Sequence, residues 1–210
     1  MSIIKAVLFD MDGVLIDAKD WHFEALNKAL SLFGLDINRY DHLMIYDGLP
    51  THKKLEMLTL EGELPIELHA FINRLKQQFT LEAVHQYCKP TFAHEYALSR
   101  LKANGLLLAV CSNSIRRSVE VILDKAMISQ YFDALFSNQD VQKPKPHPDI
   151  YIACMKKLGV HPHETLILED NDHGIKAAIA SGAHLLEIKH VGDVNYFNIM
   201  DQINSINQKI

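Results

Sequence analysis

Short, almost purely apolar runs recur along this chain, at Ile3–Phe9, Leu106–Cys111, Ala134–Ser137, Thr165–Leu168 and His184–Ile188. Runs of this length without polar alternation predict strands covered on both faces, the condition of a parallel sheet. Helical spacing fills the intervals at Phe92–Asn104, Ile115–Lys125, Pro148–Leu158 and His173–Ser181, and Asn104-Gly105 and Lys157-Leu158-Gly159 read as helix stops. A last amphipathic stretch, Val194–Asn207, is expected to cover the sheet. Strand and helix in alternation predict an α/β fold, a Rossmann-like doubly wound parallel sheet.

One interval breaks the alternation. From about Asp20 to Tyr87 the pattern is helical throughout. Trp21, Ala25, Leu26, Ala29, Leu30 and Phe33 follow the three-four spacing of a buried helix face, and Leu55, Leu58, Ile72, Leu75 and Phe79 suggest two more helices, with a turn at Leu64-Pro65. The expected organisation is an α/β core from residues 1–18 and 88–210 with a helical domain, residues 19–87, inserted after the first strand. An insert there overhangs the carboxyl ends of the strands, where open α/β sheets bind ligands.

Composition narrows the class. The 210 residues are 48% hydrophobic and 22% charged, as expected for a globular protein with a full core. A net charge of -5 argues against a nucleic-acid partner, which requires a basic face. No apolar stretch reaches the ~20 residues of a membrane helix, and the first strand starts too early to leave room for a signal peptide. Cys88, Cys111 and Cys154 are odd in number and widely spaced, which reads as reduced thiols in a cytoplasmic protein. The twelve histidines are scattered without HExxH, so most are expected to be solvated or capping, with His161-Pro162-His163 in a loop before a strand.

The candidate chemistry sits where strands end. Asp10-Met11-Asp12-Gly13 follows the first run. Two carboxylates this close repel unless a cation offsets them, and Mg²⁺ takes one or two protein carboxylates plus substrate phosphate oxygens. Val110-Cys111-Ser112-Asn113-Ser114 leaves the second strand toward a helix, offering a hydroxyl and backbone N–H groups to a phosphate or a plain helix cap. Lys143-Pro144-Lys145-Pro146-His147-Pro148 is a proline-stiffened segment that either positions an ammonium or exposes it. Leu168-Glu169-Asp170-Asn171-Asp172 closes the fourth strand in acids that could complete a cation site, and Asp172 could equally cap the next helix.

In this order these motifs resemble the haloacid dehalogenase superfamily, in the branch of β-phosphoglucomutase and many sugar-phosphate phosphatases. The motifs stand here as Asp10-Met11-Asp12-Gly13-Val14-Leu15-Ile16-Asp17, Ser112-Asn113-Ser114, Lys145 before Pro146-His147-Pro148-Asp149-Ile150-Tyr151, and Glu169-Asp170 followed by Gly174. The resemblance covers essentially the whole chain, and the insert is similar to that branch's small α-helical cap.

It implies Asp10 as a nucleophile forming an aspartyl-phosphate, and Asp12 as the acid and base. Mg²⁺ would be held by Asp10, the Asp12 carbonyl, Asp170 and Glu169. Ser112, the Asn113 amide and Lys145 would hold the transferring phosphoryl group. Gly13, His22, Gly48, Thr51 and Lys54 are the candidate substrate contacts, though His22 could equally lie on the polar edge of the first insert helix and Lys53 or Lys54 could either supply a point charge or line a solvated helix face, with Arg74 and Lys76 unplaced.

The chain also departs from the family pattern. Ala18 replaces the usual hydroxyl residue, and Thr51 stands where β-phosphoglucomutase has the arginine for its substrate's second phosphate. The latter favours a phosphatase of a small phosphorylated metabolite, expected to be a sugar phosphate, over a phosphosugar mutase; a non-catalytic sugar-phosphate sensor is the remaining alternative, since every core residue could bind without turning over. The protein is expected as a monomer or weak homodimer. Neither GxG nor GxxxxGK[ST] occurs, which sets aside dinucleotide and P-loop binding.

Overall fold

The computed structural model describes residues 4–62 and 64–208. Strands β1 (Ala6–Phe9), β2 (Leu107–Cys111), β3 (Ala134–Phe136), β4 (Thr165–Glu169) and β5 (His184–Glu187) form one parallel sheet in the order β3-β2-β1-β4-β5. Each predicted run overlaps one of these strands, with ends that coincide or differ by up to three residues, β4 running one residue past its predicted end to Glu169; Ile3 lies outside the described residues. Lys5, solvent-facing on its side chain, still donates its N–H to the Glu164 carbonyl at 2.8 Å before the ladder begins.

Helices α1 (Lys19–Ser31), α2 (Arg39–Asp41), α3 (Thr51–Leu60) and α4 (His69–Tyr87) form the insert, and α5 (Phe92–Ala103) leads into β2. Then α6 (Arg116–Lys125), α7 (Asp149–Leu158), α8 (Asp172–Ser181) and α9 (Tyr196–Gln208) follow β2, β3, β4 and β5. Successive strand residues face opposite ways, so β1 feeds two cores. Val7 and Phe9 pack with Leu98, Leu101, Val119, Ile122, Ile199 and Ile203 of α5, α6 and α9. Ala6 and Leu8 pack with Ile150, Tyr151, Cys154, Ala177 and Ala178 of α7 and α8.

The insert has an apolar cluster of its own. Leu26, Ala29 and Leu30 of α1 meet Leu55 and Leu58 of α3 and Ile72 of α4, joined by Tyr46. The helical reading of this interval therefore holds, but residues between α1 and α3 add a detail the spacing did not carry. Here α2 runs directly into a π-type turn, His42–Tyr46, which buries His42 and Tyr46 while exposing Leu43, Met44 and Ile45.

The three cysteines are buried free thiols. Among the described residues, no helix is long and apolar enough to cross a membrane. The histidine expectation holds only in part: His190 caps the N–H of Gly192, but His42 and His94 are buried.

The sheet order reverses between β1 and β4, and that reversal opens a crevice at their carboxyl ends. Phe9 pairs with both Val110 and Leu168. One residue on, Asp10, Cys111 and Glu169 therefore stand level at the edge.

Candidate active site

Asp10 is the first residue past β1, anchored by its N–H to the Leu168 carbonyl at 3.0 Å. Its buried carboxylate accepts a hydrogen bond from Lys145 Nζ at 2.6 Å. The same ammonium donates to the Cys111 carbonyl at 2.7 Å and to Glu169 Oε1 at 2.5 Å. Lys145 is only 2% exposed, which removes the alternative of a solvated loop lysine. Tyr151, one turn into α7, donates its hydroxyl to the same Glu169 oxygen.

Asp10, Glu169 and Asp170 can each offer one oxygen such that all lie within 4.8 Å of one another. Two ammonium groups, Lys145 and Lys19, do not balance these three carboxylates. Burial, working against Lys145 and with Glu169, Asp170 and Asp12, pushes the Asp10 carboxyl well above its ordinary range, while Lys145 is held protonated by Asp10 and Glu169. An all-oxygen donor set with excess negative charge fits a hard divalent cation. Asp170 currently pairs with Lys19 Nζ at 2.6 Å, and Lys19 also reaches Asp47 of the insert at 3.5 Å.

The Asp12 carboxylate belongs to a different set of neighbours. Its Oδ2 accepts from Ser114 Oγ at 3.0 Å, and its Oδ1 lies 3.1 Å from His22 Nε2 on α1. Lys76 Nζ of α4 lies 3.0 Å from His22 Nδ1; when charged it can only donate, and the neutral ring then carries its proton on Nε2, facing Asp12. Burial would raise the Asp12 carboxyl, but His22 and Ser114 outweigh it and leave it below the usual range. Burial and Lys76 depress His22, and burial with Lys54 lowers Lys76 to about 7.

Ser112 is buried at the end of β2, its Oγ accepting from the Ser114 N–H at 3.0 Å. It does not cap α6, whose flanking residue is Ile115. Asn113 joins three segments. It donates to the Gly48 carbonyl at 2.9 Å and the Lys145 carbonyl at 3.2 Å, and its Oδ1 accepts from the Lys145 N–H at 3.1 Å. Nor does Asp172 cap α8; Asn171 does, accepting from the Gly174 N–H at 3.0 Å.

One cavity of about 100 Å³ gathers most of the expected residues. Asp10, Asp12, Ser112, Asn113 and Lys145 line it from the core, and His22, Gly48, Thr51 and Lys54 from the insert. Gly13 is not on that wall. Its backbone has φ +94°, and a Cβ there would lie 2.0 Å from Asp170 Oδ2, so it gives Asp170 room. Glu169, fully buried, acts on the cavity through Lys145.

The sequence reading passed over Ser114, Lys19, Tyr151 and His42. Their contacts are with residues distant in sequence, although Ser114 and Tyr151 sat within motifs already quoted. Lys76 had a visible signal, since it shares the four-residue spacing of Ile72, Thr80 and Val84 on the buried face of α4.

Residues 7–188 match the family model of haloacid dehalogenase-like hydrolases. The chain belongs to that family. It is 31% identical over 179 residues to a phosphoglycolate phosphatase of Aquifex aeolicus, covering 85% of this chain and 82% of that protein. It is 28% identical, with the same coverage, to a phosphorylated carbohydrates phosphatase of Thermotoga maritima. Among solved structures, β-phosphoglucomutase of Clostridium difficile superposes with a TM-score of 0.83 at 22% identity, covering 96% of this chain and 98% of that one, which speaks to the fold. Membership makes this protein a hydrolase, and its relatives named for an activity include phosphatases.

Proposed function

We propose that this hydrolase is a Mg²⁺-dependent phosphatase of a small phosphorylated metabolite, a sugar phosphate or a compound derived from one. The observation that carries the reading is Asp10, fixed by Lys145 at the sheet's switch point, facing one small cavity with Ser112, Asn113 and Asp12. Residues 19–87 serve as a cap over a core of residues 1–18 and 88–210.

In this reading the Asp10 carboxylate attacks phosphorus and the leaving oxygen departs as the aspartyl-phosphate forms. Ser112, the Asn113 amide and Lys145 hold the equatorial oxygens, where the transition state spreads its charge. Asp10, the Asp12 carbonyl, Asp170 and Glu169 would hold Mg²⁺, which neutralises charge on the phosphoryl group when bound. Asp12 protonates the leaving oxygen and then takes a proton from the attacking water. With His22 against it, Asp12 is held ionised, the form that accepts a proton; its acid role requires that contact to change.

A phosphosugar mutase is the second reading, favoured by this same contact between a cap histidine and Asp12. Thr51, with one hydroxyl and no charge, weighs against it.

The test is phosphate release across a panel of phosphorylated metabolites, including β-glucose 1-phosphate, with Mg²⁺ and after chelation. Release that needs Mg²⁺ and disappears in folded Asp10→Asn is expected. Normal turnover by that variant would remove the nucleophile assignment, and isomerisation of β-glucose 1-phosphate without net release would select the mutase.

A further inference from the structure

The two oxygens of Asp12 are held from different sides. Oδ2 accepts the Ser114 hydroxyl at 3.0 Å, and Oδ1 faces His22 Nε2 at 3.1 Å. His22 belongs to α1 of the insert, and its other ring nitrogen meets Lys76 of α4, also in the insert. Ser114 belongs to the core. Its N–H donates to Ser112 Oγ at 3.0 Å, and its carbonyl accepts from the Asn138 N–H at 3.2 Å. The backbone of Ser114 is therefore tied on both sides before its hydroxyl reaches Asp12.

Neither a helix cap nor a phosphate contact accounts for this hydroxyl. The residue flanking α6 is Ile115, so Ser114 does not cap that helix. Ser114 lines the cavity, yet a serine hydroxyl has a single hydrogen, and here it is given to Asp12. A phosphate oxygen with no proton of its own only accepts, so it has nothing to gain from a hydroxyl already committed. The carboxylate, by contrast, gains a fixed orientation. Oδ2 is engaged as an acceptor by a group of the core, and Oδ1 is left on the side of the insert.

We propose that Ser114 is a positioning residue for proton transfer: it fixes the Asp12 carboxylate through Oδ2 and leaves Oδ1 as the atom that gives and takes the proton. The inference rests on the phosphatase reading and deepens it. As the bond from Asp10 to phosphorus forms and the bond to the leaving oxygen breaks, the proton on Oδ1 passes to that oxygen. As water then bonds to phosphorus and the bond to Asp10 breaks, Oδ1 takes the proton that the water loses. Both transfers need one oxygen at one place, and a misplacement of about 1 Å can cost about 100-fold in rate.

Acetyl phosphate, with saturating Mg²⁺, separates the two transfers. Its acetate leaves as the anion at neutral pH, so forming the aspartyl-phosphate needs no proton from Asp12. Hydrolysis of that intermediate still needs Oδ1 as a base. Ser114→Ala should therefore lower kcat by about 10-fold or more, with KM falling in proportion and kcat/KM kept within about 2-fold. Ser114→Thr keeps the hydroxyl and should recover most of kcat. Added to Asp12→Asn, where no base is left to position, Ser114→Ala should cost nothing further. Circular dichroism establishes that each variant is folded.

An unchanged kcat in Ser114→Ala overturns the inference and spares the phosphatase. So does an equal fall in kcat and kcat/KM, which would place Ser114 in the hold on the phosphoryl group, or a loss that adds in full to that of Asp12→Asn. If wild type releases phosphate from β-glucose 1-phosphate but not from acetyl phosphate, the same pair of substitutions is read on β-glucose 1-phosphate. There a loss that vanishes in Asp12→Asn upholds the inference and a fully additive one ends it. Release from no compound ends both the inference and the phosphatase reading.

Discussion

A largely buried lysine without an ion pair lowers the stability of the chain that carries it, and Lys54 supplies a direct measure of that cost. Its folded value of about 8 lies below the ordinary lysine value of 10.5. The folded state therefore releases the proton more readily than the unfolded state. The penalty is complete at and below the folded value, where both states are charged, and fades as pH rises toward the unfolded one. Lys54→Met should accordingly stabilise the ligand-free protein at pH 7 by about 2 kcal/mol, or roughly 4–8 °C in Tm. The gain over wild type should shrink by pH 10. Thermal melts at the two pH values decide it; a Lys54→Met protein no more stable than wild type at pH 7 would mean that the ammonium is already satisfied. Such a stabilising substitution is expected to impair substrate use, the usual exchange between stability and activity at a binding residue.

At the scale of elements, the loop between the π-type turn and α3 is held to the core by its backbone. Gly48 has φ +72°, and a Cβ there would lie 2.5 Å from Asn171 Oδ1, while its carbonyl accepts from Asn113. Asn171 in turn caps α8 and donates to Asp170 at 3.2 Å. Gly48→Ala must therefore strain its own backbone and displace a side chain tied to the acidic cluster. The expected result is a loss of about 1–2 kcal/mol in stability together with a fall of about 10-fold or more in kcat/KM for phosphate release. Undiminished kcat/KM would show that the seat of this loop does not matter to turnover. The elements were legible where burial is uniform: β1 and β4 are covered on both faces and read as unbroken apolar runs. They were less legible where exposure mixes the pattern, as at Leu43, Met44 and Ile45, which look like core in sequence and face solvent. Within the site, Asp10, Ser112, Lys145 and Glu169 could be found because each closes a strand or sits in a short motif near one. Ser114 lay in such a motif, but its role and that of Lys19 could not be read, because both lie in contacts with Asp12 and Asp170, distant in sequence.

In the whole molecule, the insert has an apolar cluster of its own, Trp21 of α1 and Val84 of α4 join the sheet's cluster, and polar links span the cavity. Lys19 spans Asp47 and Asp170, Asn113 holds the Gly48 carbonyl, and His22 lies on Asp12. Links of this kind can exchange with water, so widening the cavity at these contacts exposes little apolar surface while Trp21 and Val84 stay packed on the core. Lys19 gives the arrangement a further consequence, because a divalent cation at the acidic cluster must share Asp170 with its ammonium. The pair is partly exposed, with Lys19 33% open at the side chain, so it is worth about 1 kcal/mol rather than the several a buried pair would give. Removing the competitor in Lys19→Met should therefore tighten Mn²⁺ binding to the ligand-free protein by about 5-fold, measured by calorimetry. The same variant should show a larger rise of Tm on addition of Mn²⁺ at subsaturating concentration, since stabilisation follows the ratio of free ion to its dissociation constant. Unchanged affinity would mean that Lys19 moves aside without cost, leaving it only as a tie to Asp47. Weaker Mn²⁺ binding would mean that the lysine orients Asp170 for the ion instead of competing with it.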